Sequence, residues 1–408
     1  MDLVDCVVVG GGAAGLMAAA TAATRGERVA LLEANRQVGR KILVSGNGRC
    51  NLTNRDGDSV RHYHGGDPAF VRPALSLFPV QASLAFFNDL GIETHEEKRG
   101  RLFPRSDQAQ SIVEALLDRL HQLGVDLCPE AKVVALTGPG PFVATASDGR
   151  SWQTGRVILA SGGSSVAKLG ADRSGLDLAV ALGHRSTPLF PGLVPLESDD
   201  EHVHAMQGVK VVATVQAAIP GRGLITDTDD LLFTAYGVSG FTVLSLSAVV
   251  VPVLARGPVT LRVNLLPGQS AEQASEILRE RWRRNPHRSL ASSFCGLLSN
   301  RLVPPFLERF GFRLESRVDT IPKTERWRLA QALTDWPIEV VRPRSFEHAE
   351  VTIGGIRTGD VDAHTLESRL VPGLYFAGEV LDVHGDLGGF NFQWAWSSGW
   401  LAGQGRAA

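Results

Sequence analysis

The chain has 408 residues, enough for two or three domains around a large core. With 44% apolar residues, 21% charged residues and a formal charge of −2, it reads as an ordinary globular protein, and its charge argues against nucleic acid or an anionic membrane as a general partner. Four scattered cysteines, Cys6, Cys50, Cys128 and Cys295, make neither a C-x-x-C pair nor a zinc ligand set, so no metal is expected and a reducing cytoplasm is.

Acidic Asp2 and Asp5 argue against a secretory leader. From Val4 to Val9 the residues are β-branched and nearly all apolar, as in a strand buried on both faces. Leu16 to Thr24 is alanine-rich, without proline or glycine, and predicts a helix. Between them lies Gly10-Gly11-Gly12-Ala13-Ala14-Gly15, a G-x-G-x-x-G turn. A second apolar run, Val29 to Leu32, ends on Glu33, 18 residues beyond Gly15, about where dinucleotide folds carry their ribose-binding acid. Gly10 permits the tight turn, Gly12 admits a pyrophosphate to the backbone, and Gly15 lets helix and strand pack closely. The diphosphate would lie on the unpaired amides of the helix N-terminus. The combination predicts a site for an ADP-containing dinucleotide; the alternative is a purely structural glycine turn.

Next come Arg36-Gln37-Val38-Gly39-Arg40-Lys41 and Ser45-Gly46-Asn47-Gly48-Arg49-Cys50-Asn51, read as an extended loop that offers backbone amides to a ligand. Gly39-Arg40-Lys41 followed by Ser-Gly-Asn-Gly-Arg-Cys-Asn resembles the BaiN/YhiN-type (BaiN/RdsA-like) flavoproteins, FAD-dependent NAD(P) oxidoreductases of the two-dinucleotide-binding-domain class. The resemblance runs from Val7 to Gly403. It implies a Rossmann-like α/β domain of three layers at 1–190 and 348–408, interrupted by an inserted β-barrel domain at 191–265 and 313–347 with a small helical subdomain at 266–312. It also implies FAD contacts from Gly10, Gly12, Ala13, Ala14, Gly15, Glu33, Ala34, Arg40 and Lys41, and from Ser45, Gly46, Asn47, Gly48, Arg49, Cys50 and Asn51. Cys50, which lacks a cysteine partner, is either a small loop residue near the ring or a thiol nucleophile.

Pro68 to Leu90 reads as helical, and Asp107 to Leu123 as an amphipathic helix with Ile112, Leu116, Leu117 and Leu120 on one face. Between them Arg99, Arg101 and Arg105 belong either to a solvated turn or to a face for substrate or phosphate. Lys132–Leu136, Phe142–Ala146 and Trp152–Thr154 predict a three-stranded meander leading into a buried strand that ends on Ala160-Ser161-Gly162-Gly163. This ending is similar to the family's Ala-Thr-Gly-Gly, which implies that Ala160, Ser161 and Gly162 pass beside the diphosphate arm and that Val133 contacts the adenine through its backbone.

Leu193 to Val263 alternates short β-branched runs with glycine turns and predicts the β-rich insertion, with a helix starting after Gly237-Val238-Ser239-Gly240. Phe241 to Ala255 is broken by serines and Pro252 and falls short of the ~20 residues of a membrane span. Helices are expected from Leu266 to about Gly311, then strands around Trp327 and Ile338. Arg279-Glu280-Arg281-Trp282-Arg283-Arg284 is either a solvated helix face or, less in keeping with the net charge, a contact for RNA.

Val351-Thr352-Ile353-Gly354-Gly355-Ile356 resembles the family's Val-Thr-x-Gly-Gly-Val, and the apolar run to Ala377 ends on Gly378-Glu379, implied to touch FAD. Gly388-Gly389-Phe390-Asn391-Phe392-Gln393 then reads as a second helix N-terminus without an acidic cap. Gly389 lets a planar ring come close and the amides of Phe390, Asn391, Phe392 and Gln393 would stabilise negative charge on a reduced flavin, which selects FAD over a nicotinamide as the tightly held cofactor. His384, in Asp382-Val383-His384-Gly385-Asp386, is either a loop residue or a proton donor near flavin N5. The function expected is hydride transfer through flavin N5, with NAD(P)H as transient co-substrate and an activated C=C bond or similar small-molecule acceptor. Alternatives are a flavin oxidase of a small amine (aminoacetone-oxidase-like) and a flavin-holding RNA-interaction protein.

Overall fold

In the computed structural model, which describes residues 1–405, the opening strand Asp2–Val9 has Cys6, Val7 and Val8 fully buried. It lies inside a seven-stranded sheet, so both its edges are paired. Val29–Leu32 and Ser151–Leu159 are its parallel neighbours, and Asp126–Cys128 extends the sheet beyond Val29–Leu32. Ser151–Leu159 is one continuous strand where the sequence reading placed two. Its first half pairs antiparallel with Phe142–Ala146, which pairs in turn with Val133–Thr137; its second half takes Leu374–Phe376 in parallel. A segment from near the C-terminus therefore completes a sheet begun by the first residues.

The helix Ala13–Thr24 is buried over nearly its whole length, and the closing helix Phe390–Gln404 lies against it. A Cβ on Gly399 would land on the Ala14 carbonyl, and one on Gly403 would meet Ala18 and Thr21. Contacts that advance in the same sense along both chains mean that the two helices run parallel. Ala14 stands at the start of one helix and Gly399 well inside the other, so the closing helix begins about eight residues, ~12 Å, beyond the opening helix's N-terminus.

The expected extended loop after Gly39 is instead a short helix, Arg40–Gly48, broken by extended Ser45 and left-handed Gly46 and Asn47. Ile42 is fully buried and Gly39 packs on Val113 of the helix Ala109–Gln122, so apolar contacts override the loop signal of the glycines. Pro68–Leu90 resolves into Arg72–Leu77 and Val80–Asp89, separated at Phe78 and Pro79.

These elements belong to one compact unit, Met1–Phe190 with the chain from Val351 onward; the other is Pro191–Glu350. The second unit is built on an antiparallel seven-stranded sheet around the hairpin Lys210–Ile219 and Gly223–Thr234. Its end strands, Trp336–Val340 and Arg342–Pro343, are separated by Val341 alone, so the sheet curls until the chain itself joins its edges. Phe233 and Trp336 stack 5.5 Å apart in its core. As expected, a helix, Phe241–Leu254, follows Gly240. Trp327 does not lie in a strand: it belongs to the helix Lys323–Thr334, which buries Leu329, Ala330 and Leu333. Helical structure in this unit thus extends past the expected end at 312. No single helix among the described residues is long and apolar enough to cross a membrane.

Gly399→Val drives a branched side chain into the Ala14 carbonyl. It is expected to destabilise the protein by about 3 kcal/mol in urea unfolding; a change below about 0.5 kcal/mol would contradict the close helix contact.

Candidate functional site

The opening and closing helices end in the same way. Each has glycine at its N-cap, Gly12 and Gly389, with no side-chain cap and no acidic residue in the first turn. The first helical hydrogen bonds are Leu16 N–H to Gly12 O at 2.9 Å and Gln393 N–H to Gly389 O at 3.0 Å. The amides of Ala13, Ala14 and Gly15, and those of Phe390, Asn391 and Phe392, precede these bonds and have no partner within their helices. Gln393, expected to offer its amide, does not: that N–H closes the first turn, and its side chain is buried between Thr53 Oγ1 (2.7 Å), Ser83 Oγ (3.0 Å) and Ser397 Oγ (2.9 Å). It braces the helix end from behind.

Around the first end, Gly10 packs on Ala160 and the Cα of Ser161, and a Cβ on Gly15 would strike the Gly10 carbonyl. The Ser161 hydroxyl is turned away, toward Gly175. Gly162, next in chain, has φ +76°. The Glu33 carboxylate accepts from Gly11 N–H (2.8 Å), Asn35 N–H (2.8 Å) and Asn35 Nδ2 (2.6 Å), which fixes the acid against the glycine turn. Ala34 beside it is exposed. Ala131 donates to Glu33 O at 2.8 Å, so the chain entering buried Val133 runs alongside the acid. Arg40 is committed to Asn35 Oδ1 (2.7 Å) and Lys168 O (3.0 Å).

Lys41 and Glu379 form an ion pair at 2.7 Å. Glu379 also accepts from Ser165 Oγ at 2.9 Å and Thr352 N–H at 2.6 Å, and Lys41 donates to Ser165 Oγ at 2.6 Å. Burial alone raises the Glu379 carboxyl, but Lys41 and these hydrogen bonds outweigh it and hold it below the usual carboxylate range. Gly378 donates to Ser398 Oγ and accepts from Trp394 Nε1, which ties this turn to the closing helix.

In the segment 45–51, Ser45 Oγ bonds Ile42 O at 2.8 Å, while Asn47 and Gly48 are exposed. Arg49 pairs with Glu97 at 2.7 Å and lies 4.3 Å over the Phe103 ring. Cys50 is fully buried, and burial pushes its thiol up to about 12, so it is no nucleophile near neutral pH. Asn51 Oδ1 is buried without a hydrogen-bond partner beside Gly389, 3.0 Å from where a Cβ on that glycine would sit.

Of the three arginines left open, Arg105 is exposed and 4.0 Å from Glu93, as a solvated turn requires, while Arg101 reaches Glu97 at 3.4 Å. His384 lies not in a loop but in the strand Val383–Gly385, paired with Tyr63–Gly65 and 5% exposed. The same pairing brings in groups the sequence reading missed. Asp386 accepts from His62 Nδ1 at 2.8 Å and lies 2.7 Å from His64 Nε2, and the His62 ring stacks on Phe390 at 4.3 Å. Two histidines around Tyr63, before a glycine pair, were the available signal.

The profile of the HI0933-like protein Rossmann domain matches residues 4–405. The chain belongs to this family. A 3-dehydro-bile acid delta(4,6)-reductase of Clostridium scindens is 37% identical over 403 residues, covering 98% of both chains. A ribosomal RNA dihydrouridine synthase of Escherichia coli is 34% identical over 404 residues, 99% of this chain and 98% of that one. In fold, the chain is similar to the 3-ketosteroid delta1-dehydrogenase of Sterolibacterium denitrificans, with a TM-score of 0.53 at 13% identity over 99% of each chain. The expected Rossmann-like α/β fold holds for this family member, and the expected oxidoreductase of the flavoprotein class agrees with these relatives.

The depressed Glu379 carboxyl contributes stability that is present above its ordinary value of 4.5 and is lost as pH falls through the folded value. Lys41→Met is expected to cost about 2 kcal/mol near pH 7 and progressively less below pH 4.5, read from urea midpoints of both proteins. A difference independent of pH would contradict the pair.

Proposed function

We propose that this chain holds FAD across its two glycine-capped helix ends and uses it to reduce an activated C=C bond with NAD(P)H. The observation that carries the reading is the matched pair of amide triplets on parallel helices, offset by ~12 Å. A nicotinamide-only site needs one such end; an extended flavin dinucleotide can use both.

The residues fit such a group. Nothing lies within 4 Å of a Cβ built on Gly12, so the first end is open to a diphosphate, and the orphaned Asn51 Oδ1 beside Gly389 calls for a donor such as a ring N–H. In this reading the amides of Ala13, Ala14 and Gly15 bind the diphosphate. Glu33 keeps lone pairs for ribose hydroxyls while its other bonds hold it in place. The amides of Phe390, Asn391 and Phe392 meet the pyrimidine edge of the ring, where reduction deposits negative charge. FAD, when bound, supplies a two-electron hydride carrier. The chain offers no second G-x-G-x-x-G after a strand, so NAD(P)H would dock transiently.

The relatives' names support the bond type. One is a 3-dehydro-bile acid delta(4,6)-reductase and the other a ribosomal RNA dihydrouridine synthase, and both names fit the addition of two hydrogens across a C=C bond. The second name favours a further reading, in which the alkene is a uracil within RNA. The basic stretch 279–284 gives that reading no added support. Arg279 and Arg283 pair with Glu276 and Glu280 of their own helix, Arg281 holds Ser293 O and Cys295 O, and Trp282 is buried.

Purified protein is expected to be yellow, to bleach when mixed anaerobically with NADPH or NADH, and to recover its colour with a steroid 4,6-dien-3-one or with unmodified ribosomal RNA, whichever is its acceptor. Absence of bleaching with both nicotinamides would remove the NAD(P)H step, and peroxide formed from a small amine would favour the oxidase. Gly12→Asp caps the amide end with a carboxylate at an open position. It should fold normally yet bind FAD at least ~100-fold more weakly, about 2.7 kcal/mol; unchanged affinity would place the diphosphate elsewhere.

A further inference from the structure

We propose that His64 is the general acid of the reaction, held in place by a carboxylate, Asp386, that it shares with His62. The inference rests on the alkene-reductase reading above. Reducing a conjugated C=C bond takes a hydride at one carbon and a proton at the other, and the residues expected from the sequence offer no good source for that proton. Cys50 and His384 are buried, and Lys41 is committed to Glu379.

The two histidines differ. The Nδ1 atom of His62 lies 2.8 Å from Asp386 Oδ2, and its Nε2 accepts a hydrogen bond from Arg61 Nε at 3.1 Å. Arginine is always the donor, so Nε2 of His62 carries no proton. His62 therefore donates to the carboxylate through Nδ1–H while its Nε2 accepts from Arg61. His64 holds Asp386 Oδ1 through Nε2 at 2.7 Å, and its Nδ1 has no hydrogen-bond partner among the described residues. Held to the carboxylate through Nε2, His64 presents Nδ1 as the ring nitrogen from which a proton can be delivered. Burial raises the Asp386 carboxyl, but the bonds from His64 and His62 outweigh it and keep it ionised.

Position also favours the role. The His62 ring stacks on Phe390, the first residue of the closing helix, and Asp386 N–H donates to His62 O at 2.9 Å. Asn391, next in that helix, clamps Gly385 through both its N–H (2.7 Å) and its carbonyl (2.9 Å). The carboxylate that holds His64 is thus tied to the same helix end that the reading assigns to the flavin ring, and the His64 ring itself lies 5.5 Å from that of His384. Side-chain exposures of 31% for His64 and 43% for Asp386 leave a route for reprotonation by water. No group of three His, Cys, Asp or Glu among the described residues is arranged for a metal ion, so the cluster is not read as a metal site.

The step balances. The β-carbon of the acceptor takes a hydride from the reduced flavin, the α-carbon takes the proton of His64, the C=C π bond is lost and two C–H bonds form. Neutral His64 then recovers a proton from water.

The test is anaerobic stopped-flow of wild-type, His64→Gln and His64→Gly holoenzymes. Flavin reduction by NADPH should be unchanged in all three, and so should reoxidation by ferricyanide, which needs no proton donor. Reoxidation by a steroid 4,6-dien-3-one or by unmodified ribosomal RNA should fall ~100- to 1,000-fold in both variants, and added imidazole should restore it in His64→Gly. Independently of turnover, long-range ¹H–¹⁵N spectra of ¹⁵N-histidine-labelled holoenzyme should show His62 as the Nδ1–H tautomer. Full alkene reoxidation in His64→Gln, or His62 as the Nε2–H tautomer, overturns the assignment while leaving the alkene-reductase reading intact. A wild-type enzyme that both acceptors fail to reoxidise overturns the reading and this assignment together.

Discussion

Two helices from opposite ends of the chain run parallel with no side chain between them at Gly399 and Gly403, and the arrangement of the first unit follows from that contact. Parallel packing puts both positive helix ends on one side, and the register set by Ala14 against Gly399 fixes their offset. Larger side chains at those glycines would push the helices apart and break the register. The strand Leu374–Phe376 joins the sheet begun by the N-terminal strand, and Gly378 packs on Ala14, so the contact is buttressed from the sheet as well. The long insertion between the two halves leaves this arrangement uninterrupted, because everything that defines it lies before residue 191 or after 350.

Polar side chains behind the two helix ends are spent on the protein, which leaves the backbone amides to the ligand. Gln393 and Ser397 tie the closing helix to Thr53, Phe78 and Ser83. Trp396 Nε1 holds Leu52 O at 2.9 Å, and Asn54 Nδ2 holds Gly388 O at 2.8 Å. Glu33 and Glu379, two acids in a region read as binding a dianionic diphosphate, are each held by protein donors, Glu33 by Gly11 and Asn35 and Glu379 by Lys41, Ser165 and Thr352. The Glu379 charge is thereby offset by Lys41 before any phosphate arrives.

The glycine turn, the strand before it and the acid after it were legible because each is a local signal whose meaning depends on a few neighbours. The tail was legible for the same reason: Gly388-Gly389 before an uncapped helical run marks an N-terminus wherever it folds. The glycines around Arg40 and Lys41 suggest a loop, but burial of Ile42 against a helix some seventy residues away starts a helix at Arg40, whereas Ser45 to Asn47 do leave helical geometry as their glycine pattern suggests. Trp327 was assigned to a strand because an aromatic residue favours either structure until its packing partners are known. The pairing of His62 and His64 with Asp386 joins segments more than 300 residues apart. No periodicity or spacing in one sequence carries such information. The Gln393 amide was over-assigned because its bond to Gly389 depends on where the helix begins to the residue.

The family match spans residues 4–405 and so takes in both helix ends, and the relatives are named for different acceptors, a bile acid and ribosomal RNA. One ligand held at both ends is what a crystal structure of the protein with FAD would reveal. The diphosphate is expected within hydrogen-bond reach of the amides of residues 13–15, and the flavin's pyrimidine edge within reach of those of residues 390–392. Density for FAD with its ring away from the closing helix, or with the diphosphate off the glycine turn, would contradict it.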